Sequence, residues 1–212
     1  MAERVIDRAS WPRDPAFRLF RGYARPHHVL VTRLDVTRLV TELKPQGVSP
    51  FRGCLYAFGA GLHAVPELRQ RFRGETVVEH DRLTLSPTIS LKDGAFGFGY
   101  IPFDPDWPAF DAAARTEIEA VRAGAGRKPV TGEADDFAFL SCLPWLDFTG
   151  LTNALPHADD CIPRISWGRF VEDGQRITCA AAIEVHHAMA DGAHVAAFFA
   201  ASQAALDALG LP

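Results

Sequence analysis

The chain has 212 residues, of which 48% are hydrophobic, and its formal net charge is −4 at pH 7. A chain of this length can bury one sizeable core, and its negative charge disfavours nucleic acids and anionic membranes as partners. No run approaches the ~20 apolar residues that a membrane-spanning helix requires. Residues 1–8 carry both charge signs without an apolar run behind them, so we expect no secretory signal and a cytoplasmic location.

In the first half of the chain, segments with helical periodicity alternate with short apolar, β-branched runs. Asp14 followed by Pro15 predicts an N-cap and the first turn of a helix. Asp93-Gly94 is a strong signal for a hairpin turn. The elements predicted up to this hairpin are, in chain order, helix 14–23, strand 29–34, helices 36–43 and 50–64, and strands 76–78, 83–85, 88–91 and 95–101.

The second half has the same mixed pattern and ends in a helix rich in alanine. Gly and Pro punctuate residues 122–129, which predicts a loop rather than a domain boundary. We therefore expect an α+β fold over residues 1–212 as a single domain, built as a two-layer α/β sandwich with a mixed, largely antiparallel sheet. The elements predicted in this half are helix 107–123, strands 137–140, 162–170 and 178–185, a hairpin turn at 172–174, and helix 193–209.

The four cysteines do not form a C-x-x-C pair, so zinc ribbons and thioredoxin-like redox motifs are disfavoured. A disulfide framework is also unexpected in a chain of this size without an export signal. We therefore expect reduced thiols, mostly buried as small hydrophobic side chains, at Cys54, Cys142, Cys161 and Cys179.

Two adjacent histidines, His186 and His187, follow the last predicted strand, and Asp191-Gly192 then predicts a sharp turn before the final helix. A histidine is the natural general base near neutral pH, because its ordinary pKa is about 6.5. The alternative for either histidine is a hydrogen-bonded structural role. Adjacent residues on an extended strand point to opposite faces and do not easily share one ion, so we expect no metal site.

Four sequence blocks occur in a fixed order along the chain. They are Trp-Pro-Arg at 11–13, Ser-Cys-Leu-Pro-Trp at 141–145, Ile-Ser-Trp-Gly-Arg-Phe at 165–170, and His-His-x-x-x-Asp-Gly-x-His at 186–194. Together they resemble the chloramphenicol acetyltransferase family, and the resemblance spans nearly the whole chain. It implies an acyl-CoA-dependent O-acyltransferase with acetyl-CoA as co-substrate, no permanently bound cofactor, a small-molecule alcohol such as chloramphenicol as acceptor, and a homotrimer with active sites at the subunit interfaces.

The resemblance also implies roles for individual residues. His187 is expected to act as the general base, Ser141 to donate a hydrogen bond to the tetrahedral oxyanion, and Asp191 to pair with Arg13 and hold the turn. On the side of the acyl donor, Trp145 is expected to line the CoA channel, Ser166 to help bind a water near the transition state, and Arg169 to match a basic position of the family.

The chain departs from the family's pattern at several positions. Phe20 stands where the resistance enzymes have an aromatic residue with a hydroxyl, and residues 26–28, Pro-His-His, replace a stretch of the antibiotic pocket. A basic residue associated with CoA is missing near Gly47, where Lys44 and Arg52 are candidates. Two alternatives remain: a non-catalytic binding protein on the same fold, and a dihydrolipoyl acyltransferase catalytic domain. We expect His27 and His28 to lie in an exposed loop, and Phe96, Phe98, Phe137 and Phe139 to pack in the core.

Overall fold

The computed structural model describes residues 2–92, 94–125 and 134–212. Within them, the α-helices are α1 (Asp14–Arg21), α2 (Pro50–Ala64), α3 (Trp107–Ala120) and α4 (Gly192–Ala208). The strands are β1 (Glu3–Val5), β2 (His27–Asp35), β3 (Gln70–Arg73), β4 (Thr76–His80), β5 (Thr84–Ser90), β6 (Phe96–Phe98), β7 (Ile101–Pro102), β8 (Phe137–Leu143), β9 (Arg164–Asp173) and β10 (Arg176–His186).

The main sheet has seven strands in the order β2-β10-β9-β8-β5-β6, with β7 also paired to β5. The β5–β8 and β8–β9 pairs are parallel, and the other pairs are antiparallel. A second sheet has the order β1-β4-β3. The expected α+β fold with a mixed, largely antiparallel sheet is therefore confirmed.

One face of the main sheet forms the core with the helices. Ile165 and Trp167 of β9 and Ile183 of β10 belong to one buried cluster with side chains of α2 and α4. Because side chains alternate along a strand, the residues between them face away from the helices. Ser166 and Glu184 therefore lie on the opposite face of the sheet.

Helices α2 and α4 pack closely because Gly61 has no side chain. A Cβ at position 61 would lie 2.8 Å from the carbonyl oxygen of Phe198 and would also meet Oγ of Ser202. Such contacts are shorter than carbon atoms in proteins tolerate, so a larger residue would push the helices apart. The position of α4 against α2 is thus fixed by this glycine.

Arg71 of β3 is wholly buried and joins the small sheet to the main one. Its guanidinium donates to the carbonyl oxygens of Leu68, Gln70, Asp135 and Phe137 at distances between 2.6 and 3.0 Å. Burial lowers the pKa of this arginine. No carboxylate among the described residues lies within 4 Å of the Arg71 guanidinium. The backbone carbonyls therefore provide the hydrogen bonds that this buried cation needs.

Strand β1 is held on the small sheet by charged side chains. Arg73 donates to both oxygens of Glu3 and to both oxygens of Asp135, and His80 lies 2.9 Å from Asp135. Glu3, His80 and Asp135 are residue types that bind metals, but the Arg73 guanidinium already occupies both carboxylates. This group is therefore an ion-pair network.

The predicted elements match the structure most closely where apolar periodicity is long, as in α2. Predicted strands 83–85 and 88–91 are one strand, β5, because Pro87 does not interrupt it. Predicted helix 36–43 is instead irregular, with a π-helical turn at Leu39–Leu43 followed by a 3-10 turn at Lys44–Gln46. The prediction of Asp14 as an N-cap is wrong, because Arg13 is the N-cap. The Asp14 carboxylate instead accepts from Arg8 and Arg18.

Several predictions involve residues outside those described. The hairpin of β5 and β6 is present, but Asp93 of its predicted turn is not described. Of the predicted loop 122–129, the structure describes residues 122–125. Gly124 among them has a positive φ of 98°. All four cysteines are free, three of them buried. None of the described helices is long and apolar enough to span a membrane.

Candidate active site

His187 lies directly after β10, where the chain turns towards α4. Its backbone N–H donates to the carbonyl oxygen of Pro26 at 2.8 Å, which joins the turn to the start of β2. Its ring stacks on the ring of Phe20, with centroids 3.8 Å apart and planes at 4°. Nδ1 of His187 is enclosed and has no hydrogen-bond partner among the described residues. Nε2 is therefore the ring nitrogen through which this half-buried histidine can meet a ligand.

Arg13 holds the turn that contains His187. Its guanidinium donates to Oδ2 of Asp191 at 2.8 Å and to the carbonyl oxygens of His187 and Ala188 at 2.7 and 3.0 Å. The Arg13 side chain is only 10% exposed, so these three bonds are largely shielded from water. The arginine thus fixes both ends of the turn.

Asp191 is also the N-cap of α4. Its Oδ1 accepts from the N–H of Ala193, and its own N–H donates to Nδ1 of His194, which forms a capping box. Partial burial is the largest single influence and opposes ionisation, but the hydrogen bond from Arg13, the interaction with His194 and the N–H of Ala193 together outweigh it and lower the pKa of Asp191 to about 2. The carboxylate is therefore charged at neutral pH and contacts Arg13, Ala193 and His194.

His186 is buried, and its ring contacts other residues of the protein rather than solvent. Its Nδ1 accepts from the N–H of Ala188 at 3.1 Å, and its ring packs against Phe72 and His27. Burial lowers the pKa of His186 to about 3, so the ring is neutral. The adjacent histidines thus differ: His186 closes the turn from inside the protein, and His187 stands at its surface.

Two histidines at the start of β2 were expected in an exposed loop, and this prediction is wrong. His27 and His28 pair with His186 and Val185 of β10 and are half-buried. Nε2 of His27 lies 2.5 Å from the carbonyl oxygen of Asp160. The ring of His28 lies 4.4 Å from the ring of His187. Burial and, secondarily, the neighbouring His187 lower the pKa of His28 to about 4.

Ser141 lies on β8, away from His187. It pairs with Ser166 of β9, which pairs with Ala182 of β10. Its Oγ lies 3.4 Å from Oγ1 of Thr88 on β5. From Ala182 to His186 the strand advances about 13 Å, and two strand spacings add about 10 Å across the sheet. One chain therefore does not bring Ser141 and His187 together.

The other predicted residues lie on β9, beside Ser141, or in the segment that follows β8. Ser166 is buried beside it, whereas Trp145 and Arg169 are exposed. The backbone N–H of Arg169 donates to the carbonyl oxygen of Leu146 at 2.7 Å. A Cβ at Gly168 would lie 2.5 Å from this oxygen, so the close approach of the segment after β8 requires glycine here. Gly168 thereby lets the segment after β8, which contains Trp145, pack against β9.

Other residues depart from their expected positions. Arg52, a candidate for a CoA contact, is paired at 2.5 Å with Asp111, which is 2% exposed, so only Lys44 of the two candidates remains free of a buried partner. Phe96 is 61% exposed rather than packed in the core, because it lies on the short edge strand β6. The sequence did not predict the contact between Thr88 and Ser141, because the two residues are 53 positions apart in the chain.

A family model described as chloramphenicol acetyltransferase matches residues 1–203 of the chain. The chain belongs to the chloramphenicol acetyltransferase family. A member from Clostridium perfringens is 26% identical over 206 residues, which cover 96% of this chain and 94% of the relative. A solved structure of a chloramphenicol acetyltransferase aligns with a TM-score of 0.86 at 24% identity and covers 97% of this chain and 100% of that one.

The same fold occurs in a second group of acyltransferases. A solved structure of dihydrolipoamide acetyltransferase from Azotobacter vinelandii aligns with a TM-score of 0.64 at 17% identity, covering 92% of this chain and 86% of that one. Likeness at this identity is a likeness of fold. The family match over residues 1–203 places this chain with the chloramphenicol acetyltransferases.

Proposed function

We propose that this family member transfers an acetyl group from acetyl-CoA to a hydroxyl of a small molecule, with His187 as the general base. The observation that carries the proposal is the environment of His187. Arg13 and Asp191 fix its backbone, Phe20 fixes its ring plane, and Nδ1 is enclosed so that Nε2 is left for a ligand. A base held in this way is pre-oriented for proton transfer.

In the proposed reaction, Nε2 of His187 takes the proton of the acceptor hydroxyl as its oxygen attacks the thioester carbonyl. The C–O bond forms, and the carbonyl oxygen becomes a tetrahedral oxyanion. Ser141 donates a hydrogen bond to that oxyanion. The C–S bond then breaks, and the CoA thiolate takes the proton from the imidazolium. The products are an acetyl ester and CoA, and the histidine returns to its neutral form.

This mechanism requires a second copy of the chain. The strand register separates Ser141 from His186 by about 16 Å along and across the sheet, and His187 lies one residue further, whereas an oxyanion donor and the base must contact one substrate. We therefore propose that Ser141 of one subunit faces His187 of the next in a homotrimer. Ser166, Trp145 and Arg169, which accompany Ser141, would then contribute to acetyl-CoA binding from the same subunit as Ser141.

Chloramphenicol is a candidate acceptor, and antibiotic resistance is the corresponding physiological role. The names of the curated relatives support it. However, Phe20 contributes no hydroxyl beside His187, and His28 makes the neighbouring wall polar. We therefore propose a small-molecule alcohol as the acceptor of the acetyl group, and chloramphenicol is the first alcohol to assay.

The decisive experiment measures release of the CoA thiol from acetyl-CoA in the presence of chloramphenicol and a panel of other alcohols. We expect turnover by the unmodified protein and its loss in His187→Ala. His157→Ala is the matched control, because His157 is an exposed histidine outside the turn. Equal CoA release by the unmodified protein and His187→Ala would refute the role of His187. Ligand binding without CoA release, unchanged in His187→Ala, would instead indicate a non-catalytic binding protein.

Transfer to dihydrolipoamide is the second enzymatic candidate. The fold shared with dihydrolipoamide acetyltransferase is the observation behind it. A parallel assay with dihydrolipoamide as the acceptor separates the two activities, because the product is then a thioester rather than an ester. We expect no acetylation of dihydrolipoamide above the rate without protein.

A further inference from the structure

The segment that follows β8 is tied to the far edge of the main sheet by an ion pair. Oδ1 of Asp147 accepts a hydrogen bond from the guanidinium of Arg33 on β2 at 3.0 Å. In the strand order β8-β9-β10-β2, the edge strand β2 lies three strands from β8, which is about 14 Å across the sheet. Asp147 follows Leu143, the last residue of β8, by only four positions. The ion pair therefore joins a short segment to the opposite edge of the sheet.

Arg33 is held in place by a second contact. Its Nε donates to Oγ1 of Thr178 at 3.0 Å, and Thr178 is buried in β10. The side chains of Arg33 and Asp147 are 40% and 31% exposed, and an ion pair at this exposure stabilises a fold only weakly. Because Thr178 fixes Nε, the guanidinium offers Nη1 to Asp147 from a fixed position. The pair is therefore better suited to positioning a segment than to stabilising the whole protein.

The residues on either side of Asp147 contact β9. The carbonyl oxygen of Leu146 accepts from the backbone N–H of Arg169 at 2.7 Å. The ring of Phe148 packs against Gly168, where a Cβ would lie 3.3 Å from two of the ring carbons. Both contacts hold the segment along β9, whereas the ion pair reaches two strands further, to β2. Asp147 thus supplies the lateral contact that keeps the segment from turning about its attachment to β9.

Trp145 is the exposed side chain whose position depends on this segment. It is 70% exposed and the adjacent Leu146 is 54% exposed, whereas Trp107 and Trp167 are buried. Exposed large apolar side chains that lie together commonly mark a binding surface. Trp145 also follows the proposed oxyanion donor, Ser141, by four positions. The indole is therefore available to a ligand bound at the Ser141 end of the site.

We propose that Arg33 and Asp147 are positioning residues for the acyl donor, because their ion pair holds residues 145–148 so that Trp145 faces bound acetyl-CoA. The inference rests on the proposed function, which supplies acetyl-CoA as the ligand. Neither residue takes part in the proton transfer. Charge alone predicts the opposite effect for Asp147: CoA is a polyanion, so removing a nearby negative charge would strengthen its binding. Loss of the ion pair would weaken it.

The test measures binding of CoA, which has no acyl group to transfer, by tryptophan fluorescence and its quenching by acrylamide. We expect CoA to shield Trp145 of the unmodified protein from acrylamide, and Trp145→Phe to abolish this shielding. Asp147→Asn and Arg33→Met should each raise the Kd for CoA about 2- to 5-fold. Asp147→Asn should weaken binding no further when Arg33→Met is already present, because both changes remove the same contact.

Asp104→Asn is the matched control, because Asp104 is 40% exposed, pairs with Arg82 and loses the same charge. It should leave the Kd for CoA unchanged. An Asp147→Asn variant that binds CoA as tightly as the unmodified protein, or more tightly, overturns the inference. Independent, additive effects of Asp147→Asn and Arg33→Met, or CoA binding that leaves Trp145 unshielded, overturn it as well. Failure of the unmodified protein to bind CoA at all refutes the proposed function itself.

Discussion

The guanidinium of Arg13 and the carboxylate of Asp191 meet at 2.8 Å across 178 residues of sequence. The same guanidinium also holds the carbonyl oxygens of His187 and Ala188. The ion pair therefore does more than join two charges, because it fixes the backbone of the turn on which the proposed base stands. Losing it should affect activity as well as stability.

For Arg13→Lys we expect kcat/KM to fall about 10- to 100-fold, because an ammonium cannot serve three acceptors with the geometry of a guanidinium. Asp191→Asn should have a smaller effect, since Asp191 is 38% exposed and water can partly replace the lost charge interaction. CoA release and thermal unfolding give the two readouts. Arg18→Lys is the control, because the Arg18 side chain is 72% exposed and its ion pair among the described residues is with Asp14. Activity of Arg13→Lys equal to this control would argue against a role for the turn.

Ser141→Ala tests the oxyanion donor. We expect kcat to fall about 10²- to 10³-fold with little change in KM, because the hydrogen bond is formed in the transition state. Stability should barely change, since the long 3.4 Å contact with Thr88 is the Ser141 side-chain bond that the described residues provide. Thr88→Val removes that contact while keeping Ser141 and serves as the control. A Ser141→Ala variant with unchanged kcat would exclude the proposed role.

A site shared between copies predicts complementation between two inactive variants. His187→Ala and Ser141→Ala, refolded together from a denatured mixture in equal amounts, should regain activity. In random mixed oligomers, about a quarter of the shared sites combine an intact His187 with an intact Ser141. Each variant refolded alone is the control. If the mixture stays as inactive as its components, the base and the serine do not meet across a subunit boundary.

Buried neutral histidines predict acid sensitivity. His63 donates from Nδ1 to the carbonyl oxygen of Gly59 and accepts the N–H of Leu83 at Nε2, and burial lowers its pKa to about 4. Burial likewise lowers the pKa of His186 to about 3. Below pH ~6.5 the unfolded chain binds protons at these residues that the folded chain does not. Stability should therefore fall as pH decreases from about 6.5 towards these lower values, and these two histidines cause no further loss below them.

Urea midpoints at pH 7, 6 and 5 measure this effect. Each such histidine contributes a slope of about 1.4 kcal/mol per pH unit in the free energy of unfolding. His63→Gln should reduce the slope by about one histidine's share, whereas the exposed-site variant His157→Ala should not. Equal midpoints at pH 7 and pH 5 would contradict the assignment of buried neutral rings.

Sequence reasoning identified the fold and the double-histidine turn because both depend on local patterns. The apolar runs of β10 and α2 are visible in the sequence, and so is the Asp-Gly turn before α4. Strand β3 was missed because Gln70, Arg71 and Arg73 are polar, although the structure buries the first two. Arg71 is buried because backbone carbonyls accept its hydrogen bonds, and the apolar pattern that predicts a buried strand is therefore absent from this segment.

Contacts between distant residues account for two further features that the sequence did not show. The exposure of His28 was misjudged because the environment of an X-Pro-His-His segment depends on β10, more than 150 residues later. The separation of Ser141 from His187 was equally invisible, since it follows from the strand order β10-β9-β8. Family resemblance assigned both residues to one reaction at a subunit interface, and the strand register gives the distance that separates them within one chain.

Gly61 has a consequence for any mutational survey of this protein. It carries no functional group, yet it sets where α4 lies, and the N-cap of α4 is Asp191, which pairs with Arg13 in the turn of the proposed base. A displacement of about 1 Å at a reacting group can reduce a rate about 10²-fold. Gly61→Ala, which adds a single methyl in the interior, should therefore reduce turnover. A survey confined to polar positions would not detect this effect.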